Sequence, residues 1–113
     1  MSEQMPIMRS YLAIKREIPQ GMILLFKLGD FYEMFGEDAV VSAPICDLTL
    51  ARRNETPMCG FPHHSINTYL AKFIRCGKSV ALAERVEPTR NGIGRYEVVR
   101  IVTPGTAEKE DAI

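Results

Sequence analysis

Phe31 and Glu33 are the two residues of this 113-residue chain whose types and spacing best suit a chemical task. If the chain is extended through this stretch, alternate side chains share a face, so Phe31 and Glu33 point one way and Tyr32 the other. One face then presents a flat apolar ring with a carboxylate beside it. Such a ring can wedge between stacked bases. A carboxylate can hydrogen-bond a base edge, accepting when ionised and donating when protonated. Taken singly, a strand Phe is usually core and a strand Glu is usually a solvated edge residue, so the pair needs support from the rest of the chain.

Other groupings offer less. Asp30, Glu33, Glu37 and Asp38 form an acidic cluster that suggests a metal-dependent nuclease, but no Glu-x-Lys follows on a strand-like segment. Gly77-Lys78-Ser79 resembles the end of a phosphate-binding loop. Position 72, where the first glycine belongs, is Lys72, and the segment joins a helix to a strand rather than a strand to a helix. Cys59 and His63 have a loose metal-ligand look, and two ligands do not make a site. No nucleophile–base arrangement stands out. The expectation is therefore no catalytic residue, no metal and no bound cofactor in this chain.

These residues need elements to hold them. Residues 6–18 suit a helix, with Pro6 in its first turn and Met8, Tyr11, Leu12 and the stem of Lys15 as one stripe; Pro19-Gln20-Gly21 stops it. Residues 22–28 read as a buried strand, Gly29-Asp30 as a turn and 31–35 as a second strand. Glu37 to Ala43 suits a short helix that Pro44 should end or kink. Cys46 to Leu50 reads as a short strand, Ala51 to Thr56 as a basic loop, and Met58 to Phe61 as another strand. Ser65 is placed to cap a helix whose residues Ile66, Tyr69, Leu70, Phe73 and Ile74 recur at amphipathic spacing, with Gly77 at its C-terminal cap. Ser79 to Val86 and Tyr96 to Thr103 read as strands around a turn-rich loop, Glu87 to Gly94. The acidic end, Glu108 to Asp111, reads as a frayed tail. The alternation predicts one α/β domain over residues 1–113, a mixed β-sheet flanked by about three α-helices, with about 107–113 as a tail or the start of a linker.

Composition narrows the function. Fourteen basic and fourteen acidic residues cancel. A free-standing, tight, non-specific nucleic-acid binder carries a clear basic excess, so this chain does not fit that class. A domain that touches DNA while other parts of a larger protein grip the phosphates is compatible with zero charge. Three cysteines without a CxxC motif, and no stretch resembling a secretory signal, suit a reduced cytoplasmic protein. No apolar run reaches membrane-spanning length.

Several blocks together resemble domain I of the MutS family of DNA mismatch-repair proteins. They include Ile23-Leu24-Leu25-Phe26, Gly29-Asp30-Phe31-Tyr32-Glu33, Asp38-Ala39, Asp47 with Leu50, and Pro57-Met58-Cys59-Gly60. Further along come Pro62 with His64, Tyr69-Leu70-Ala71-Lys72, Ser79-Val80-Ala81 with Glu84, and Val98 to Thr106. The resemblance runs over roughly residues 7–111, in order and at near-family spacing. It implies a Phe-x-Glu reader: Phe31 enters the minor groove and stacks on a mispaired or unpaired base, Glu33 hydrogen-bonds that base, and the DNA kinks.

The resemblance also aligns Arg52 and Arg53 with a Lys-Arg pair, suited either to phosphate contact or to an ordinary solvated loop. It aligns Gly60-Phe61-Pro62-His63-His64 with a Gly-Ile/Val-Pro-Tyr-His block near the reading strand. Here His63 replaces Tyr and Phe61 an aliphatic residue, and His64 is open between touching DNA and capping the next helix. Val40 and Val41 stand where relatives carry charge, which suggests a small apolar contact patch or a rotated helix with both valines in the core. In the family an ATPase domain and a DNA clamp lie elsewhere and the protein is a dimer. ATP, magnesium, other MutS domains and a second subunit are thus implied for the full-length family, with mismatched duplex DNA as the partner of this domain in the cytoplasm, at the nucleoid. The chain is expected to be an excised domain, with a short complete protein as the other possibility. The competing functional reading is a protein-interaction module that keeps the fold without reading DNA.

Overall fold

A computed structural model describes residues 4–86 and 95–105, with side chains from residue 7 onward. The elements run α1 (Gln4–Glu17), β1 (Ile23–Leu28), β2 (Phe31–Phe35), α2 (Glu37–Cys46), β3 (Ala51–Arg53), β4 (Thr56–Pro62), a single 3-10 turn (His63–Ser65), α3 (Ile66–Arg75), β5 (Val80–Arg85) and β6 (Tyr96–Val102). The six strands form one sheet in the order β3-β4-β2-β1-β5-β6. The β1–β5 pair is parallel and the others are antiparallel, so the sheet is mixed, as the sequence predicts.

The central strands explain their own composition. Ile23 to Phe26 and Val80 to Ala83 are all buried, because strands covered on both faces read as continuous apolar runs rather than alternations. On one face α2 and α3 pack over Ile23, Leu25, Tyr32, Met34, Phe61, Val80 and Leu82. On the other, α1 packs over Leu24, Phe26, Phe35, Ala81 and Ala83. The period of two along β2 therefore sends Tyr32 and Met34 to the α2/α3 face, and Phe31, Glu33 and Phe35 to the α1 face.

A buried polar cluster locks α1 and α2 to the sheet. The Tyr11 hydroxyl lies 2.7 Å from Asp38 Oδ2 and 2.8 Å from the Leu24 carbonyl, and accepts from the Phe35 N–H at 3.3 Å. Asp38 also accepts from the Leu24 N–H at 3.1 Å and from Lys15 Nζ at 3.0 Å. The Tyr11 ring meets Phe26 and Phe35 edge-on, with centroids 5.2 Å apart in each case. Burial and the Asp38 charge beside it push the Tyr11 phenol well above its ordinary range.

Some expectations from the sequence give way here. Leu12, placed in the buried stripe of α1, is exposed, and Ile7 and Ile14 pack on the sheet instead. Pro44 does not end α2, which continues to Cys46. Pro44 forfeits its own N–H bond and crowds the Val40 carbonyl one turn back, while Ala43 and Cys46 remain anchored in the core. The helix closes instead at Asp47, in the left-handed conformation, with the Leu48 N–H bonded to the Ala43 carbonyl. Cys46 to Leu50 is accordingly not a strand. The expected basic loop, Ala51 to Thr56, is a hairpin: Asn54 and Glu55 both take positive φ, as tight two-residue turns require, and fold β3 onto β4.

Ser65 precedes α3 without a side-chain cap bond, the 3-10 turn leading into the helix in its place. The C-terminal cap of α3 forms as expected, the Lys78 and Gly77 N–H groups bonding the Phe73 and Ile74 carbonyls at 2.9 Å each. Val40 is exposed and Val41 is half-buried against the core, so the pair is neither wholly hidden nor a continuous patch. The expected Glu87–Gly94 loop and the tail Glu108 to Asp111 lie outside the described residues.

Candidate nucleic-acid interface

The end of the sheet near the β1–β2 turn carries the Phe-x-Glu pair. Leu28 and Phe31 face each other across a two-residue turn, Gly29-Asp30. Gly29 has φ +59, the sign that a hairpin turn with glycine in first place needs. The Asp30 carbonyl accepts from the His63 N–H at 2.8 Å, which ties this turn to the end of β4. Phe31 is thus held on two sides by main chain while its ring is 43% exposed.

Two cross-strand rows build the surface. The outer row is Leu28, Phe31 and Pro62, and the next is Phe26, Glu33 and Gly60. Phe26 is fully buried and stacks on Tyr96 with centroids 4.3 Å apart, so the second row has a rigid floor. Glu33 is half-buried. Burial raises its carboxyl above the ordinary value, and the Arg53 guanidinium partly offsets this.

Tyr32 anchors the strand from behind. It is 5% exposed, and its hydroxyl donates to Glu84 at 2.9 Å. Its ring leans on Phe61 at 6.0 Å, and Phe61 stacks on Tyr69 at 4.1 Å. Burial and the Glu84 contact push the Tyr32 phenol up to about 12, so it stays a neutral donor at physiological pH. Stacked rings and a partly buried hydrogen bond on one face thereby fix the aim of Phe31 on the other.

The remaining candidates divide. Arg52 and Arg53 sit on the exposed edge strand β3, not in a flexible loop. By strand alternation, Arg53 takes the face of Glu33 and Arg52 the opposite one, where it donates to the Glu55 carbonyl at 3.2 Å. Pro62 pairs directly with Phe31. His63 and His64 follow it in the 3-10 turn, His63 half-buried and His64 exposed, with His64 Nδ1 3.4 Å from Ser65 Oγ. Among the described residues no group of three or more His, Cys, Asp or Glu side chains gathers as metal ligands. Cys59 is buried in β4, its thiol 3.7 Å from the Ala39 carbonyl. No helix among the described residues is long and apolar enough to cross a membrane.

Sequence reasoning missed Leu28, which completes the apolar outer row, and Gly60, which faces Glu33. A glycine inside a strand signals close approach of another group, and that signal was present in the Met58–Phe61 segment.

Comparison with known proteins shows the family to which the chain belongs. The profile of the MutS domain I family matches residues 5–111. The DNA mismatch repair protein MutS of Treponema denticola is 47% identical over 109 residues, covering 96% of this chain and 12% of that protein. MutS of Desulforapulum autotrophicum is 42% identical over 120 aligned positions, covering all of this chain and 13% of that protein. MutS of Desulfitobacterium hafniense is 47% identical over 108 residues, covering 89% and 12% respectively. The chain thus spans about an eighth of the length of these curated relatives, and the part it spans, with a mixed six-stranded sheet and helices α1 to α3 among the described residues, belongs to the MutS domain I family.

Proposed function

We propose that this domain recognises mismatched or unpaired bases in duplex DNA and serves DNA mismatch repair. In this reading Phe31 enters the minor groove and stacks on the faulty base, and Glu33 hydrogen-bonds it. The observation that carries the reading is the exposed Phe31 ring on the same face as the half-buried Glu33.

The physics supports selectivity without a base code. Inserting an apolar wedge between base steps costs a few kcal/mol of unstacking. A mispaired base is already poorly stacked, so less is lost there. Discrimination then follows deformability, which suits a reader of many kinds of error. Glu33 adds nothing to general affinity, because phosphates repel a carboxylate. Burial favours its protonated form, which donates to a base acceptor, and the negative field of DNA acts in the same direction. Arg53 on the same face offers a phosphate contact, with Pro62, His63 and His64 lining the groove side. In full-length members of the family, ATP hydrolysis and the DNA clamp are expected of other domains, and a second subunit completes the assembly.

The alternative, an interaction module that reads no DNA, draws on exposed Val40. One experiment separates the two. Backbone amide shifts of the chain are followed by NMR against a G·T duplex and its matched control. Larger shifts around Phe31 with the mismatch support the reader; equal shifts with both duplexes, or shifts confined to residues away from Phe31 and Glu33, sink it.

A further inference from the structure

Gly60 differs from the other glycines the structure describes. Gly21, Gly29, Gly36 and Gly77 have positive φ, and at these four and at Gly105 a side chain would meet open space. Gly60 lacks a positive φ, so its backbone would accept any L-residue. What it lacks is room. A Cβ at position 60 would stand 2.6 Å from the Tyr32 carbonyl oxygen, 3.2 Å from Glu33 Cγ and 3.4 Å from Glu33 Cα. The first neighbour is main chain and cannot rotate aside; the second belongs to the side chain that faces the DNA in the reading above.

Glu33 and Gly60 are directly paired across β2 and β4. In an ordinary antiparallel pair the two opposed side chains stand side by side. Here the Glu33 side chain lies across the hydrogen of Gly60. The buried Phe26 is the residue paired with Glu33 on its other side, in β1. The charged or titratable groups that bear on Glu33 are the Arg53 guanidinium from β3 and the Cys59 thiol from β4.

We propose that Gly60 is a positioning residue for Glu33: the missing side chain leaves a slot on the α1 face of β4, and the Glu33 side chain occupies it beside the exposed Phe31 ring. The proposal deepens the mismatch-reading assignment and rests on it for its functional consequence, though the slot itself does not depend on DNA. A side chain at position 60 pushes the carboxylate out toward solvent and uncouples it from the ring.

The experiment uses the 113-residue chain, labelled with 13C. In the unaltered protein, nuclear Overhauser contacts between the Glu33 γ-protons and the Gly60 α-protons are expected, and their absence overturns the proposal whatever any variant does. In Gly60→Ala the titration midpoint of the Glu33 δ-carbon should shift down toward that of an exposed carboxylate, because the group leaves its half-buried slot. A folded Gly60→Ala protein with an unshifted midpoint shows that Gly60 serves only the backbone, and the proposal falls. Preference for a G·T duplex over its matched control should drop in Gly60→Ala to the level of Glu33→Ala. If the midpoint moves while the preference does not, the slot stands and the assignment of Glu33 as the base contact is wrong.

Discussion

Phe31 and Tyr32 are neighbours in sequence with opposite fates: the first ring is 43% exposed on the α1 face of the sheet, the second 5% exposed on the other. The buried ring, with its hydroxyl bonded to Glu84, holds the strand that presents the exposed one. Truncating the exposed ring should therefore cost little. Phe31→Ala is expected to lower unfolding free energy by about 1 kcal/mol or less, as a surface substitution, while abolishing preference for mismatched DNA. Phe26→Ala, in the fully buried floor, should cost about 3–5 kcal/mol. Denaturant unfolding of both variants checks this, and a Phe31→Ala loss as large as that of Phe26→Ala would place the ring in the core.

Glu33 makes stability depend on pH in a definite direction. Its folded pKa lies above the ordinary value of 4.5, so the folded state holds the proton more tightly than the unfolded chain. The contribution is fully present below the unfolded pKa and is lost as pH rises through the folded one. Relative to Glu33→Gln, the unaltered protein should therefore lose stability across that window and level off above it. Arg53→Ala should widen the window upward, because the guanidinium is what holds the pKa down. Urea melts at stepped pH measure both; a stability difference from Glu33→Gln that does not change with pH contradicts the burial.

The Tyr11–Asp38 cluster should respond in a graded way to loss of its polar groups. Asp38→Ala strips the Leu24 N–H and Lys15 of their carboxylate partner, and should cost on the order of 3 kcal/mol. Tyr11→Phe keeps the ring contacts and removes only the hydroxyl, so about 1–2 kcal/mol is expected. Thermal unfolding would show the order; equal, near-zero losses would mean the cluster contributes no net stability.

The cysteines should separate by reactivity. Cys46 and Cys59 are buried and Cys76 is exposed. Burial pushes the Cys46 thiol up to about 12 and the Cys59 thiol up to about 11, so neither offers much thiolate near neutrality. Iodoacetamide at pH 7.5 should label Cys76 and spare the other two until the protein is unfolded, as intact-mass spectrometry would read directly.

DNA affinity of the isolated chain should be weak, with a shallow salt slope, since its charges cancel. Arg53→Ala should reduce that slope by about 1, and Arg52→Ala by less, because Arg52 faces away from Glu33. Fluorescence anisotropy across a salt series tests this, and equal effects of the two substitutions would argue against one-sided contact.

Much of this was legible along the chain. The apolar runs at Ile23–Phe26 and Val80–Ala83, the period of two at Phe31–Phe35 and the helical period at Ile66–Ile74 are local patterns, set by which backbone geometry puts apolar groups on a common side. They determined the mixed α/β class and the shared face of Phe31 and Glu33. Tertiary structure decided what those patterns do not encode. Strand β3 exists because β4 offers it an unpaired edge, not because Ala51-Arg52-Arg53 has strand character, and α2 passes Pro44 because packing of Ala43 and Cys46 outweighs the lost hydrogen bond and the crowding of the preceding turn. Whether Phe31 is core or surface depends on how far α1 extends over the sheet, and the role of Gly60 depends on which residue the register sets opposite it. Both are relations between segments distant in sequence, and they form only when the strands pair.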